Sequence, residues 1–259
     1  MNKQYPKKYL IETGIGLQDV DGLKNSPFYL SEAKHFLKGE ISLDELEAIV
    51  DAHYENKPHS DDRSGEADKV SVRISKIISD DSFTFSVDQL LSMHKALFNG
   101  ILNHPGKLRP YNFVKSEWVL NGFSVTYVDY RELGATLRYD LEQEKKFSYK
   151  RSSMKETIEH LAIFISGLWQ IHAFEEGNTR TVAVFVIKYL RSLGFDVTND
   201  VFAKNAWYFR NALVRANYTN IPGDIYADHS FLIKFLENLL LRKRHQLRNR
   251  NLHIDADLI

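Results

Sequence analysis

Ile171-His172-Ala173-Phe174-Glu175-Glu176-Gly177-Asn178-Thr179-Arg180-Thr181 is the stretch from which the rest of the chain is read. Upstream of it, Ile158, Leu161, Ala162, Ile165, Leu168 and Trp169 recur at helical spacing. Downstream, Val182-Ala183-Val184-Phe185-Val186-Ile187-Lys188-Tyr189-Leu190 is apolar on nearly every face, the pattern of a helix buried inside a domain. Gly194 supplies the stop, with Lys188 and Arg191 in the last turn, where cations suit the helix dipole. The spacing predicts a helix, a tight polar loop and a second helix beginning near Asn178.

Such a loop delivers a histidine, two carboxylates, a glycine, an amide and an arginine to a helix N-terminus. Free N–H groups at Gly177, Asn178 and Thr179 would face outward at the positive end of the dipole, a seat for phosphate oxygens. Glycine lets the backbone approach an anion closely, and Arg180 offers a bidentate fork. A carboxylate beside phosphate needs a divalent cation between them, and Mg²⁺ binds one or two carboxylates plus substrate phosphates. His172 titrates near neutrality and suits removal of a proton from an attacking hydroxyl. Taken singly, His172 reads as a hydrogen-bonded core histidine, Glu175-Glu176 as a solvated loop and Gly177-Asn178 as a turn. Their concentration within positions 172–180 between two apolar helices carries the functional reading.

This stretch resembles the signature of the Fic (Fic/Doc, or Fido) family of AMP-transferring proteins, His-x-Phe-x-(Asp/Glu)-Gly-Asn-x-Arg followed by x-x-Arg. The resemblance implies His172 as general base, Phe174 as the loop's anchor and Glu176 as the Mg²⁺ ligand. It also implies Gly177, Asn178 and Thr179 as the anion hole and Arg180 as the first phosphate arginine. Glu175 falls on a variable position. The motif is non-standard: Ala173 replaces the usual proline, Thr179 fills a variant position, and Ala183 stands where the second arginine falls. That arginine serves the terminal phosphate and an inhibitory glutamate in the family, so its absence bears on both. A Ser/Thr-x-x-x-Glu-(Gly/Asn) inhibitory helix is also missing: Glu55-Asn56 and Glu237-Asn238 have Asp51 and Ile233 at the hydroxyl position, and Glu66 keeps only the acid.

Composition narrows the class. Among 259 residues, Lys+Arg and Asp+Glu are both 34, so net charge is zero, which argues against a nucleic-acid partner. Cysteine is absent, excluding disulfides and thiolate metal sites. No stretch reaches the length of a membrane span and the N-terminus lacks an apolar signal region, so a cytoplasmic protein without membrane attachment is expected.

Along the chain, residues 1–60 read as a helical N-terminal extension. Pro27 opens one helix that ends at Lys38-Gly39, and Ser42 with Glu45 forms a capping box for another through Tyr54. The run Phe36 to Glu45 resembles the small antitoxin-like segment fused to some Fic proteins. Met1 to Gly22 gives no clear pattern, and residues 55–65 read as a polar linker. Residues 61–245 are read as the Fic core, with an active loop at 172–180, and 246–259 as a basic tail without a role. Within the core, helices are expected from about Gly65, after Ser86, from Arg131 to Glu144, over Val201–Tyr218 and from His229 to Leu241. His94 and His104 have no spaced partner and read as structural. Asn121-Gly122, a type I′ turn pair, sits between two β-rich runs and predicts a hairpin over 117–128. By the family resemblance this hairpin is the flap that docks the target through Val119, Leu120, Asn121, Gly122, Phe123, Ser124 and Val125, by β-augmentation.

The expected fold is therefore mainly α, a Fic-type helical bundle with a small hairpin flap. The resemblance implies a nucleotide-binding protein adenylyltransferase that uses ATP and Mg²⁺ to modify a hydroxyl of a protein target, and it is compatible with a homo-oligomer. Two alternatives stand beside it. One is a Fic-type transferase using another phosphate-containing donor, or removing AMP instead. The other is a non-catalytic nucleotide-binding module.

Overall fold

The computed structural model describes residues 4–55 and 63–255. Part of the expected linker, residues 56–62, and the last residues of the tail, 256–259, lie outside them. The helices are α1 (Lys7–Gly16), α2 (Pro27–Lys38), α3 (Leu43–Tyr54), α4 (Ser64–Ser79) and α5 (Val87–Phe98). They continue with α6 (Leu133–Lys146), α7 (Met154–Ile171), α8 (Asn178–Ser192), α9 (Val201–Ala216) and α10 (Ser230–Leu241). Among the described residues no helix is long and apolar enough to cross a membrane.

Serine hydroxyls mark several helix starts. Ser26 and Ser86 accept from the N–H three residues on, and Ser42–Glu45 and Ser153–Glu156 are complete capping boxes. Each cap satisfies one or two N–H groups that the helix itself leaves without a partner. The central element is α8, whose residues from Asn178 to Leu190 are all buried. Helices α4, α5 and α7 pack around it. That position explains why its sequence shows no polar face.

Helix α1 is the element that the sequence hides. It packs on α4 and α9, and its contact runs through two glycines. A Cβ at Gly14 would lie 2.4 Å from the Ser71 carbonyl oxygen, and one at Gly16 would lie 2.1 Å from that of Ala203. Backbones this close need small residues, and small residues leave no apolar stripe to read. Asp68 on α4 ties down the next segment: its carboxylate accepts from Asn25 Nδ2, the Ser26 N–H and hydroxyl, and the Tyr54 hydroxyl. A single hydrophobic cluster runs from Tyr5 to Leu252.

The mainly helical reading holds, but the hairpin does not form: no β-strand is present among the described residues. Asn121 and Gly122 do take positive φ (54° and 90°), and the Phe123 N–H donates to Leu120 O. The arm before this turn, however, coils into a 3₁₀ helix over Trp118–Leu120. Consecutive residues of a strand point to opposite faces. Val119 and Leu120 are consecutive and both fully buried, which a helical turn permits and a surface hairpin does not. The Ile254 N–H then donates to Val119 O, so the C-terminal segment takes up backbone that a partner strand would have used.

The close packing of α1 is testable. Gly16→Ala should lower the free energy of unfolding by about 1–3 kcal/mol, the usual cost of overpacking a filled interior. Urea denaturation followed by circular dichroism measures it, and an unchanged midpoint would mean that α1 does not sit this tightly on α9.

Candidate active site

The loop between α7 and α8 is closed by its own side chains. Asn178 Oδ1 accepts from the Phe174 N–H at 2.9 Å, and its Nδ2 donates to Phe174 O at 2.7 Å. Gly177 has φ +72°, and a Cβ there would lie 2.4 Å from the Phe98 ring. Conformation and space both demand glycine. The N–H groups of Gly177, Asn178 and Thr179 stand at the start of α8, ahead of the first helical bond from Thr181 N to Gly177 O.

His94 on α5 holds the loop from below. Its Nε2 donates to Glu176 O at 3.0 Å, while Nδ1 accepts from the Gly106 N–H at 2.7 Å. The imidazole stacks on Phe174 with ring centres 3.8 Å apart. One nitrogen donating and the other accepting requires the neutral ring, and burial pushes its pKa down to about 4. His94 is thus structural, as its sequence context suggests, but it is structural for this loop. His104 stands beside Glu175, its Nδ1 3.2 Å from the carboxylate.

His172 ends α7 in the left-handed conformation (φ 51°) and is 3% exposed. Neither ring nitrogen has a hydrogen-bond partner in the structure. Buried polar atoms are nearly always paired, so these two mark a place for a missing polar group. Burial holds the imidazole well below its ordinary pKa of 6.5, reinforced by the positive charges of Lys115, Arg210 and Arg109. The ring is therefore neutral at pH 7 and ready to accept a proton.

Arg109 fixes the approach to this site. Its Nε donates to His172 O at 2.8 Å and its Nη1 to Tyr111 O, while Nη2 bonds Val128 O. Three of its bonds serve backbone carbonyls and one the Asn112 side-chain oxygen, so it fastens the 109–129 segment to the active loop. Sequence reading passed over it because an arginine beside a proline in a loop carries no spacing signal.

Arg180 is fully buried. Its Nε lies 2.9 Å from Asp21 and its Nη2 2.7 Å from Glu66, while Nη1 donates to Gln18 Oε1 at 3.1 Å. The guanidinium also lies 4.8 Å over the Phe98 ring. Arg63 pairs with Glu66 in turn, so two arginines meet two carboxylates and the cluster is neutral. The fork proposed for phosphate is held here by the chain's own acids. Thr179 accepts from Trp169 Nε1 at 2.9 Å, and Ala183 is buried within α8.

Glu176 is exposed, with Lys115 3.6 Å away. Among the described residues no group of three or more His, Cys, Asp or Glu side chains gathers to hold a metal. A lone exposed carboxylate fits a Mg²⁺ that arrives with substrate phosphates rather than one resident in the protein. Of the residues assigned to target docking, Val119, Leu120 and Val125 are buried, Ser124 is partly buried, and Asn121, Gly122 and Phe123 are exposed. They lie in and on either side of the turn at Asn121-Gly122, where no β-strand is present.

Residues 84–190 match the Fic/DOC family, so the chain carries a Fic/DOC domain. The matched segment runs from just before α5 to near the end of α8 and contains the whole active loop. It supports, in general terms, catalysis of a nucleotide-transfer type directed at protein targets. Gln18, Asp21 and Glu66, the partners of Arg180, all lie outside it. No curated protein matches the chain.

Two stability measurements probe this geometry. Arg180→Ala removes the cation that Asp21 meets and leaves Glu66 with Arg63 alone, and it should cost about 3–5 kcal/mol in denaturant unfolding, as loss of one partner of a buried ion pair does. A loss under about 1 kcal/mol would show that the cluster is dispensable. His94 titrates near 4 in the fold against 6.5 without it. The unfolded chain therefore takes up the proton first, and stability should be full above about pH 6.5 and decline as pH falls toward 4. The full loss is about 3 kcal/mol. Thermal melts across that range should show the decline, and His94→Gln should flatten it.

Proposed function

We propose, for a chain that carries a Fic/DOC domain, that it transfers AMP from ATP to a hydroxyl side chain of a protein target. The observation that carries this reading is the buried, unpartnered imidazole of His172 beside the N-terminus of α8. A neutral base with both nitrogens unused needs a proton donor, and a target hydroxyl supplies one.

His172 takes the hydroxyl proton. The hydroxyl oxygen forms a bond to the α-phosphorus, and the bond from that phosphorus to the oxygen bridging the β-phosphate breaks. Pyrophosphate leaves with the electron pair. The backbone N–H groups of Gly177, Asn178 and Thr179 supply fixed dipoles to the phosphate oxygens, an arrangement that costs no reorganisation during the reaction. Mg²⁺, when bound, offsets phosphate charge, and Glu176 is the side chain that would hold it. Tyr127, beside His172, is no rival base: burial and the neighbouring Glu117 carboxylate raise its pKa and keep the phenol protonated.

Arg180 enters this reading with a condition. A phosphate reaches its guanidinium only by taking the place of Glu66 or Asp21. Together with Ala183, this favours as a second reading a donor other than ATP, or the reverse reaction. The N-terminal residues that carry Gln18 and Asp21 would then govern access to the donor site.

Incubation with α-labelled and γ-labelled ATP, Mg²⁺ and lysate separates these readings. Protein should be labelled from the α position only, and His172→Ala should reduce transfer by about 10²–10⁴-fold while nucleotide binding persists. Equal loss of binding and transfer would remove His172 from the role of base. Label from neither position, with transfer from another nucleotide donor in a panel, would favour the second reading. The transfer rate should stay level from pH 8 to about 6.5 and fall only further into acid, because the imidazole is protonated well below 6.5. A rate that halves near pH 7 would contradict the depressed pKa.

A further inference from the structure

A general base is ordinarily oriented by a third group hydrogen-bonded to its far nitrogen. His172 has no such group, since both nitrogens are without partners. Aromatic rings surround it instead. Tyr127 lies against its face, with centroids 4.0 Å apart and planes inclined by 22°. Trp169 stands edge-on at 5.3 Å and 89°, and Phe113 at 5.6 Å and 68°.

Trp169 and Phe113 meet the imidazole at steep angles, so neither ring lies parallel to its plane. The face-to-face contact with Tyr127 is the one that fixes the plane of the imidazole. Tyr127 is itself held: its hydroxyl lies 3.4 Å from Glu117 Oε1 and its ring rests against Phe113 and Trp169. Glu117 is fully buried and grips Arg210 with both oxygens, at 2.6 and 3.0 Å.

We propose that Tyr127 is the positioning residue of the site: its ring sets the plane of the His172 imidazole, in place of the hydrogen-bonded partner that this histidine lacks. The inference rests on His172 being the base of the proposed transfer. Its consequence is that both nitrogens stay available, one to take the target proton and the other to meet water or target. The charged groups facing the imidazole, Lys115, Arg109 and Arg210, lie outside the stack and act on it only through space. The ring of Tyr127, rather than its hydroxyl, is the part that positions.

Tyr127→Phe and Tyr127→Leu in the full chain test this. The His172 ring protons, assigned by their disappearance in His172→Ala, should be shifted upfield by the stacked ring in the wild type and in Tyr127→Phe. They should move back toward ordinary positions in Tyr127→Leu. If Tyr127→Leu does not fold, Tyr127→Met, whose flexible side chain fills the gap, replaces it. In labelled transfer at varied nucleotide concentration, the Leu variant should lose about 10²-fold in kcat, the scale of a small misplacement. KM for nucleotide should stay within about twofold, since the ring touches no phosphate seat, and the Phe variant should match the wild type. Unmoved His172 resonances in the Leu variant, or equal effects on kcat and KM, would overturn the proposal. If the wild type transfers nothing from any donor, the proposed function fails, and the resonances alone then decide whether Tyr127 positions His172.

Discussion

The buried guanidinium of Arg180 is the constraint on which the rest of the structure depends. It sits at the base of the active loop, and its charge is met by Asp21 from the N-terminal segment and Glu66 from α4. Phe98 lies beneath it and also fills the space a Cβ on Gly177 would need. One cation thus brings three separate parts of the chain to the N-terminus of α8. Burying a charge in this way is costly unless every partner is present, so the loop, α4 and the N-terminal segment are energetically tied to one another. Whatever binds at the loop acts on all of them.

The loop's own shape follows from a second set of bonds. Asn178 closes it onto Phe174, and His94 supports Glu176 from below. The two histidines divide the work by the state of their nitrogens. His94 uses both for hydrogen bonds and therefore serves structure. His172 uses neither and is held by ring packing alone. Burial pushes the pKa of each down, for opposite purposes: in His94 it preserves an acceptor for Gly106, and in His172 it leaves a base unprotonated at neutral pH.

Much of the fold was legible along the chain because its signals are local. The start at Ser86, the capping box at Ser42, Pro27 and the apolar spacing of α5, α7 and α8 all act within a few residues. Helix α1 was not legible, since its packing works through glycines that leave no periodic stripe. The hairpin was misread for a related reason. Asn121-Gly122 is a true turn, but whether its arms pair or coil depends on burying Val119 and Leu120 on the same side and on the C-terminal segment that reaches Val119 O.

The sequence by itself determined helices α2 to α10 and the order of residues in the loop, from His172 through Arg180, because helix periodicity, capping and motif spacing are properties of neighbours. Only the tertiary structure decided what those residues face. It placed Asp21, Glu66 and Gln18 against Arg180, Tyr127 against His172, and Arg109 against the His172 carbonyl. These contacts join residues from 45 to 162 positions apart in the chain. No local pattern encodes a partner at that distance: it is selected by which buried charge or ring would otherwise be left without one.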